Sequence, residues 1–420
     1  MARYQNVRGT RDILPGESER WHLVEELARE TFGRYGFREI RTPVMEPTDL
    51  FVRSVGASTD IVRKEMFTLE MGGDSMTLRP EGTAPTVRAF IQAGLDRVAG
   101  GDRLYYIGPM FRYERPQKGR QRQFHQIGVE VLGSDDPLVD AETIEMLLYM
   151  LERLEVSGTK LALNSVGDRA CRPAFREALR EFLGPRLQRL CPDCQRRYEE
   201  NPLRVFDCKV ERCAEEIAAA PAMLDYLCEG CRAHFEAVRS YLDGYGVAYE
   251  VNPRMVRGLD YYVRTAFEIL SEGLGAQNSL MGGGRYDGLI GELGGKDIPG
   301  FGWALGVERL LMVMPSRVAG RPAGPEVLVA PLGPASRPAA AIAARALRRA
   351  GLRVLLEGGD RSLTASLRRA DRLGAARVLV LGEREIASGQ ALVRDMRTGE
   401  QRMVPIAELA RLAEEKVREA

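Results

Sequence analysis

Histidine and lysine are scarce in this chain. Three histidines, His22, His125 and His234, serve 420 residues. Chemistry built on histidine metal ligands or a Ser-His-Asp relay is therefore poorly supplied. Six lysines, at 64, 118, 160, 209, 296 and 416, stand among 60 basic residues, and the other 54 are arginine. A GC-rich genome is the plain explanation; arginine's planar fork suits phosphate oxygens only at particular positions. No uncharged run approaches the roughly 18 apolar residues of a membrane span. The N-terminus, Met1 to Thr10, lacks the apolar core of a signal peptide, so a cytoplasmic protein with no membrane partner is expected. Excess charge is missing too, at a net +1. That balance does not announce a nucleic-acid binder, although a local patch is enough to make one. The common nucleotide motifs are absent. Gly294-Gly295-Lys296-Asp297 lacks both the first glycine and the hydroxyl of a P-loop, and Gly300-x-Gly302-x-x-x-Gly306 misses the dinucleotide spacing by one residue.

What is present is ordinary for a globular protein: 45% hydrophobic and 28% charged residues. Such a chain is neither collagen, disulfide mini-protein nor disordered. Its length suggests two to four domains at roughly 100–200 residues each. Trp21, Val24, Leu27, Ala28, Phe32 and Tyr35 fall at helical spacing, predicting a helix over 17–35. Strand-like runs alternate with turns from 37 to 133, and a leucine stripe predicts a helix over 143–154. From about 165 to 245 the sequence is helical and holds all seven cysteines; strand-like, Gly-rich sequence returns at 247–313. The middle block is read as an insertion into one catalytic domain. A Pro/Gly-rich linker spans 315–325. After it, strands at 327–330, 352–356 and 378–381 alternate with helices at 336–350 and 361–373, the pattern of a small parallel α/β domain. A last helix is expected over about 406–418.

Several polar constellations stand out. Arg79-Pro-Glu-Gly-Thr-Ala-Pro85 is turn-rich and acidic. Between two strands, Gly108 to Arg122 packs four arginines and a lysine into a short loop. A solvated hairpin tip would need no arginine beside Phe111, where Arg112 stands. In Phe124 to Leu132, alternation sets Phe124, Gln126, Gly128 and Glu130 on one face, with His125, Ile127, Val129 and Val131 on the other. The first face suits the floor of a polar pocket, and the second is core. Met255 to Glu268 combines Arg, Gly, Asp and paired tyrosines. Met281 to Gly288 is a Gly-rich turn that admits a close neighbour. Pro299 to Leu311 is a Gly-spaced strand entering a helix that begins near Arg309.

Together these segments resemble the histidyl-tRNA synthetases of bacterial type, in class II of the aminoacyl-tRNA synthetases. Gly36 to Pro43 is similar to motif 1, Phe111-Arg-Tyr-Glu114 with its loop to motif 2, and Gly302 to Arg309 to motif 3. Arg257-Gly-Leu-Asp-Tyr-Tyr262 and Gly283-Gly-Arg-Tyr-Asp-Gly288 resemble the two histidine-specific signatures. The resemblance implies an α+β fold: a class II antiparallel sheet flanked by helices in a catalytic domain over 1–320, a helical insertion at about 165–245, and a C-terminal α/β anticodon-binding domain over 326–420. It implies catalytic roles for Arg112, Arg257 and Arg309. ATP, brought with Mg²⁺, would meet Arg112, Glu114, Arg120, Phe124 and Arg309. L-Histidine would meet Glu81, Thr83, Gln126, Glu130, Tyr261 and Tyr262. Arg115 and Gln117 would face the acceptor end of tRNA(His), and motif 1 with Pro43 would form a homodimer interface.

The chemistry agrees. Attack of a carboxylate on the α-phosphorus of ATP accumulates negative charge, which fixed arginines and Mg²⁺ stabilise without an enzyme nucleophile. A neutral imidazole presents one donor and one acceptor, and Glu130 with Tyr262 can answer both. Simple alternation separates Tyr262 from Arg257, so a bend at Gly258 is expected. His125 is expected to be structural, with the adenylate phosphate assisting proton transfer to complete charging. The cysteines form close pairs. Cys191, Cys194, Cys228 and Cys231 have the spacing of a four-cysteine zinc site. Similar cysteines occur in related bacterial enzymes without an essential metal, so reduced, partly buried thiols are expected. The alternative is a regulatory subunit of ATP phosphoribosyltransferase, which keeps the fold but lacks the anticodon domain and erodes the ATP and histidine motifs. The retained Arg112, Arg257 and Arg309 and the residues beyond the linker favour the enzyme, and Trp303 in motif 3 is a tolerated aromatic.

Overall fold

The computed structural model describes residues 4–57, 59–98, 100–275, 278–318, 320, 324–359 and 361–414. The chain divides into two compact units: Met1–Ile13 with Arg20–Val318, and Leu14–Glu19 with Ala319–Ala420.

An eight-stranded sheet organises the first unit. Its strands, numbered in chain order, are β1 (Arg38–Glu39), β2 (Asp102–Phe111), β3 (Gln123–Leu132), β4 (Thr159–Ser165), β5 (Glu250–Val251), β6 (Val263–Ser271), β7 (Ser279–Arg285) and β8 (Gly300–Gly306). They lie in the order β1-β2-β3-β8-β7-β6-β4-β5. The six inner strands pair antiparallel. The two-residue edge strands pair parallel to their neighbours. Alternation decides which face is buried. Ile127, Val129 and Val131 of β3, Trp303 and Leu305 of β8, and Phe267 and Ile269 of β6 form one apolar face. Two helices cover it, Ser18–Arg34 through Trp21, Val24, Ala28 and Phe32, and Pro137–Arg153 through Ile144, Leu147, Met150 and Leu151. The second helix starts six residues before the leucine stripe predicts. Its first turn carries the start signals instead: Asp136 caps Leu138 N at 2.9 Å, and proline stands at the first helical position.

Between β4 and β5 the chain is helical, as expected, with α-helices Arg172–Leu183, Pro192–Glu200, Glu211–Ile217 and Glu229–Gly244. The block has its own core, built on Phe175, Leu179, Leu183, Val205 and Met223. Its last helix serves two cores: Cys231 packs in the block, while Phe235, Val238 and Leu242 join the core of the main sheet. The helix Glu229–Gly244 thus ties the block to the first unit.

The second unit holds a five-stranded sheet in the order Val354–Leu356, Val327–Pro331, Arg377–Leu381, Gln390–Asp395, Gln401–Pro405. The first three are parallel, as the alternation predicts. The last two add an antiparallel hairpin that the sequence reading did not foresee. Only Ala391 and Val393 of that segment are buried, too few to mark a strand among polar residues. The expected helix at 406–418 is a 3-10 helix over Ile406–Arg411, and residues 415–418 lie outside the described residues. Linker residues 319 and 321–323 lie outside them too. Among the described residues no helix is long and apolar enough to cross a membrane.

Candidate active site

The face of the sheet opposite the helices carries the site. One row across it reads Glu268 on β6, Gly282 on β7, Ala304 on β8, Gly128 on β3 and Tyr106 on β2. The middle of that row has almost no side chain. It lies at the floor of a cleft of about 380 Å³. The glycines are there to make room. A Cβ on Gly282 would run into the Arg257 guanidinium, one on Gly302 into the Glu130 carboxylate, and one on Gly128 into the Tyr106 hydroxyl.

Four arginines, 112, 120, 257 and 309, line this one cleft. Arg112 follows β2; its Nε donates to the Pro80 carbonyl at 2.8 Å, and its guanidinium lies 5.3 Å from the Phe124 ring. Glu114 accepts from Arg120 at 2.7 Å. Arg309 enters from the helix Val307–Val313, with Nε bound to the Ser279 carbonyl at 3.0 Å. Burial, reinforced by the like charge of Arg120, lowers its pKa. Arg257 pairs with Glu268 and lies 5.6 Å from the Tyr262 ring. Its buried Nε has no hydrogen-bond partner, and neither has the buried Oε1 of Gln126, which also lines the cleft. Concentrated positive charge with unpaired polar atoms suits a polyanionic ligand bearing an amine.

Beside the cleft lies a dense polar cluster. Glu130 is fully buried; it accepts from Thr83 Oγ1 at 2.7 Å, from the Tyr286 hydroxyl at 2.5 Å and from the Tyr106 hydroxyl at 3.4 Å. Burial pushes its carboxyl up to about 8 against the pull of those hydroxyls. Glu81 accepts from Thr83 N at 2.7 Å and Ala84 N at 2.8 Å, capping the helix Thr83–Gln92. Burial raises its pKa as well, partly offset by those backbone bonds. Tyr261 and Tyr262 are both buried, with ring centroids 4.7 Å apart. The expected conflict between Arg257 and Tyr262 dissolves, because residues 257–262 form a turn and the strand starts only at Val263. Alternation does not apply to a turn, and Gly258 needs no left-handed conformation.

Models of known families match nearly the whole chain. A histidyl-tRNA synthetase model matches residues 9–310, and an anticodon binding domain model matches 326–416. The chain belongs to the histidyl-tRNA synthetase family. It is 51% identical over 405 residues to the histidine–tRNA ligase of Desulforamulus reducens, covering 96% of this chain and 97% of that protein. The corresponding ligase of Geobacillus kaustophilus is 49% identical over 420 residues, with 99% of each chain covered. The crystal structure of apo Staphylococcus aureus histidyl-tRNA synthetase superposes with a TM-score of 0.82 at 35% identity, covering 97% of this chain and 99% of that one. The fold is that of a class II synthetase with a C-terminal anticodon-binding domain. The activity is that of a histidine–tRNA ligase: histidine is activated with ATP to the adenylate and then transferred to tRNA. The anticodon match covers the segment whose presence separates the enzyme from the regulatory alternative.

For the synthetase, the predicted residues fall into groups. Arg112, Glu114, Arg120, Phe124, Gln126, Arg257 and Arg309 share the cleft. Thr83, Glu81 and Glu130 are joined by hydrogen bonds beside it. Arg115 and Gln117 are exposed on the loop between β2 and β3, apart from the cleft lining. His125 sits on the other face, with Nδ1 3.0 Å from Glu308 Oε1 and its ring edge-on to Trp21 at 4.9 Å. Two tyrosines were missed, Tyr106 and Tyr286. Alternation along β2 reveals Tyr106 only once β2 is paired with Gly128, and Tyr286 stands inside a quoted signature without a role. Its neighbour Arg285 is structural: it is fully buried and bonded to Asp140 at 2.9 Å, which also meets His234 at 2.9 Å.

The cysteine expectation needs correction. Cys191 and Cys194 do not meet Cys228 and Cys231. The first pair gathers with Cys208 and Cys213, the second with Asp168 and Cys171. Each C-x-x-C begins a different helix, Pro192–Glu200 and Glu229–Gly244, so sequence spacing joined pairs that the fold separates.

Proposed function

We propose the following division of labour for the ligase reaction. Arg112 and Arg257 hold the α-phosphate of ATP, where the histidine carboxylate attacks and pyrophosphate leaves. Arg309 and Arg120 hold the β- and γ-phosphates. Phe124 stacks on the adenine, and Glu114 accepts from its amino group. The α-ammonium of histidine is received by Gln126 Oε1, Glu81 and Thr83, while Glu130 and Tyr262 read the two imidazole nitrogens, with Tyr261 packed behind. The observation that carries this reading is the meeting of four arginines with the unpaired Gln126 Oε1 in one cleft. Fixed cations in a dry site stabilise the charge that develops at phosphorus without reorganising during the reaction. Mg²⁺ brought with ATP would supply positive charge for the leaving pyrophosphate. Carboxylates of the cleft lining, Glu268 among them, are the oxygen donors a hard cation takes. The cysteines lie outside the cleft lining, and no step is assigned to them.

In the second step, the terminal ribose hydroxyl of tRNA(His) attacks the adenylate carbonyl, the bond from the carbonyl carbon to the phosphate oxygen breaks, and AMP leaves with its phosphate taking the hydroxyl proton. Arg115 and Gln117 meet the acceptor end, and residues 326–420 meet the anticodon stem-loop. The protein works as a cytoplasmic homodimer joined through motif 1. In support, Val44 and Met45, which follow motif 1 in the chain, are 40% and 46% exposed, apolar surface that pairing would cover. ATP–pyrophosphate exchange tests the reading, run with each amino acid in turn. Exchange with histidine alone, abolished by Arg257→Ala and restored by no other amino acid, is the expected result. Histidine-dependent exchange that survives both Arg257→Ala and Arg309→Ala would refute the assignment.

A further inference from the structure

The block between β4 and β5 holds two four-ligand clusters of matching design. In each, all ligand atoms lie within 4.8 Å of one another. The first brings together Cys191, Cys194, Cys208 and Cys213; the second Asp168, Cys171, Cys228 and Cys231. We propose that the block carries two structural zinc sites, one at each cluster. This inference does not rest on the assignment of catalytic roles.

The geometry is that of a metal site rather than a disulfide. Four thiolates at about 2.3 Å from a zinc ion stand about 3.8 Å apart. Cys191 Sγ and Cys208 Sγ are 3.8 Å apart, whereas a disulfide would need about 2.05 Å. All seven thiols are free. In the second cluster, Asp168 Oδ1 is taken by the backbone N–H groups of Ala170 and Cys171 at 2.9 and 3.1 Å. Oδ2 is left 3.9 Å from Cys228 Sγ. The backbone is arranged for sulfur carrying negative charge. Cys191 N donates to Cys213 Sγ at 3.2 Å, Val210 N to Cys208 Sγ at 3.4 Å, and Cys228 N to Cys171 Sγ at 3.1 Å. Each C-x-x-C places its first cysteine at the N-cap of a helix and its second three residues on. Binding balances as proton release: four thiols in one site and three in the other give up protons to solvent. Closed four-coordinate sites, one of four sulfurs and one of three sulfurs with a carboxylate oxygen, are structural in type, and sulfur selects zinc over magnesium or calcium.

Both sites border the histidine-specific loop. Arg172, next to ligand Cys171, donates to the Tyr262 carbonyl. Arg204, in the turn before ligand Cys208, donates to the Gly258 carbonyl and lies 3.2 Å from Asp260 Oδ1. Zinc therefore steadies the two arginines that hold the loop carrying Arg257 and Tyr262.

The test is metal analysis of the full chain from zinc-supplemented cells, purified without chelator. About two zinc ions per chain are expected, and about one in each of Cys213→Ser and Cys231→Ser. Cobalt loading of the apo protein should give thiolate-to-cobalt charge-transfer absorption that saturates at two equivalents and is halved in each variant. Stripping zinc should raise KM for histidine more than it lowers kcat, with recovery on adding zinc back. Less than about 0.2 zinc per chain in a folded protein overturns the proposal. So does a zinc content that neither variant changes. A single ion removed by only one variant overturns the other site. Should either variant fail to fold, wild-type zinc content and the cobalt titration decide alone.

Discussion

Burial holds the Glu130 carboxyl at about 8, so at neutral pH the empty pocket keeps it largely protonated. Free histidine loses its ring proton near pH 6.5. A complex that shares one proton between carboxyl and imidazole then forms without net proton exchange only between those two values. Below about 6.5 the free ring is charged and binding must release a proton; above about 8 the free pocket is ionised and binding must take one up. We expect KM for histidine to be flat from about pH 6.5 to 8 and to rise on both sides, by up to tenfold per pH unit. Exchange kinetics across pH would check this, and Glu130→Gln should lose the basic limb. The same residue carries a stability signature. Its folded pKa lies above the unfolded value of about 4.3, so its contribution is fully present below that value and is lost as pH rises through about 8. Glu130→Gln should therefore gain stability relative to the parent as pH rises, read from denaturant midpoints. At this scale the sequence was informative where a residue sits on a strand. Gln126 and Glu130 could be read from alternation alone. Tyr286 could not, because its hydroxyl reaches Glu130 across the sheet from 156 positions away.

The strands β3, β7 and β8 work through the side chains they omit. Gly282 stands where a methyl group would strike Arg257, and Gly302 where it would strike Glu130. Gly282→Ala should leave the fold intact and lower kcat/KM for exchange by about 100-fold, since small displacements of an oriented group cost that much. Gly302→Ala should act chiefly on histidine affinity, since it displaces the group that reads the ring. Steady-state exchange against ATP and against histidine separates the two. The helices were legible from their apolar stripes, and the parallel strands of the second unit from continuous apolar runs. The hairpin at 390–405 was not, because half its residues face water and its apolar members are few. The bend expected at Gly258 is present, and the turn runs on to Tyr262, where the paired tyrosines pack as a buried corner.

At the scale of the whole molecule, the linker read from proline and glycine lies near the division between the units at about residue 319. A chain ending at Val318 keeps every residue of the cleft and should retain histidine-dependent exchange, but charge tRNA at least tenfold more slowly. Parallel exchange and charging assays would show it; equal loss of both would contradict it. The cysteine pairing was illegible at this scale, because helices Pro192–Glu200 and Glu229–Gly244 carry their C-x-x-C ends to different places. The last of these helices leaves a further consequence. A single helix with Cys231 in one core and Val238 and Leu242 in another couples the loss of one core to the loss of the other. The thiol-rich block and the catalytic sheet should therefore unfold as one cooperative unit. Calorimetry should resolve one transition for both, and native-state hydrogen exchange should give the amides of Leu179 in the block and Ile269 in the sheet the same opening free energy.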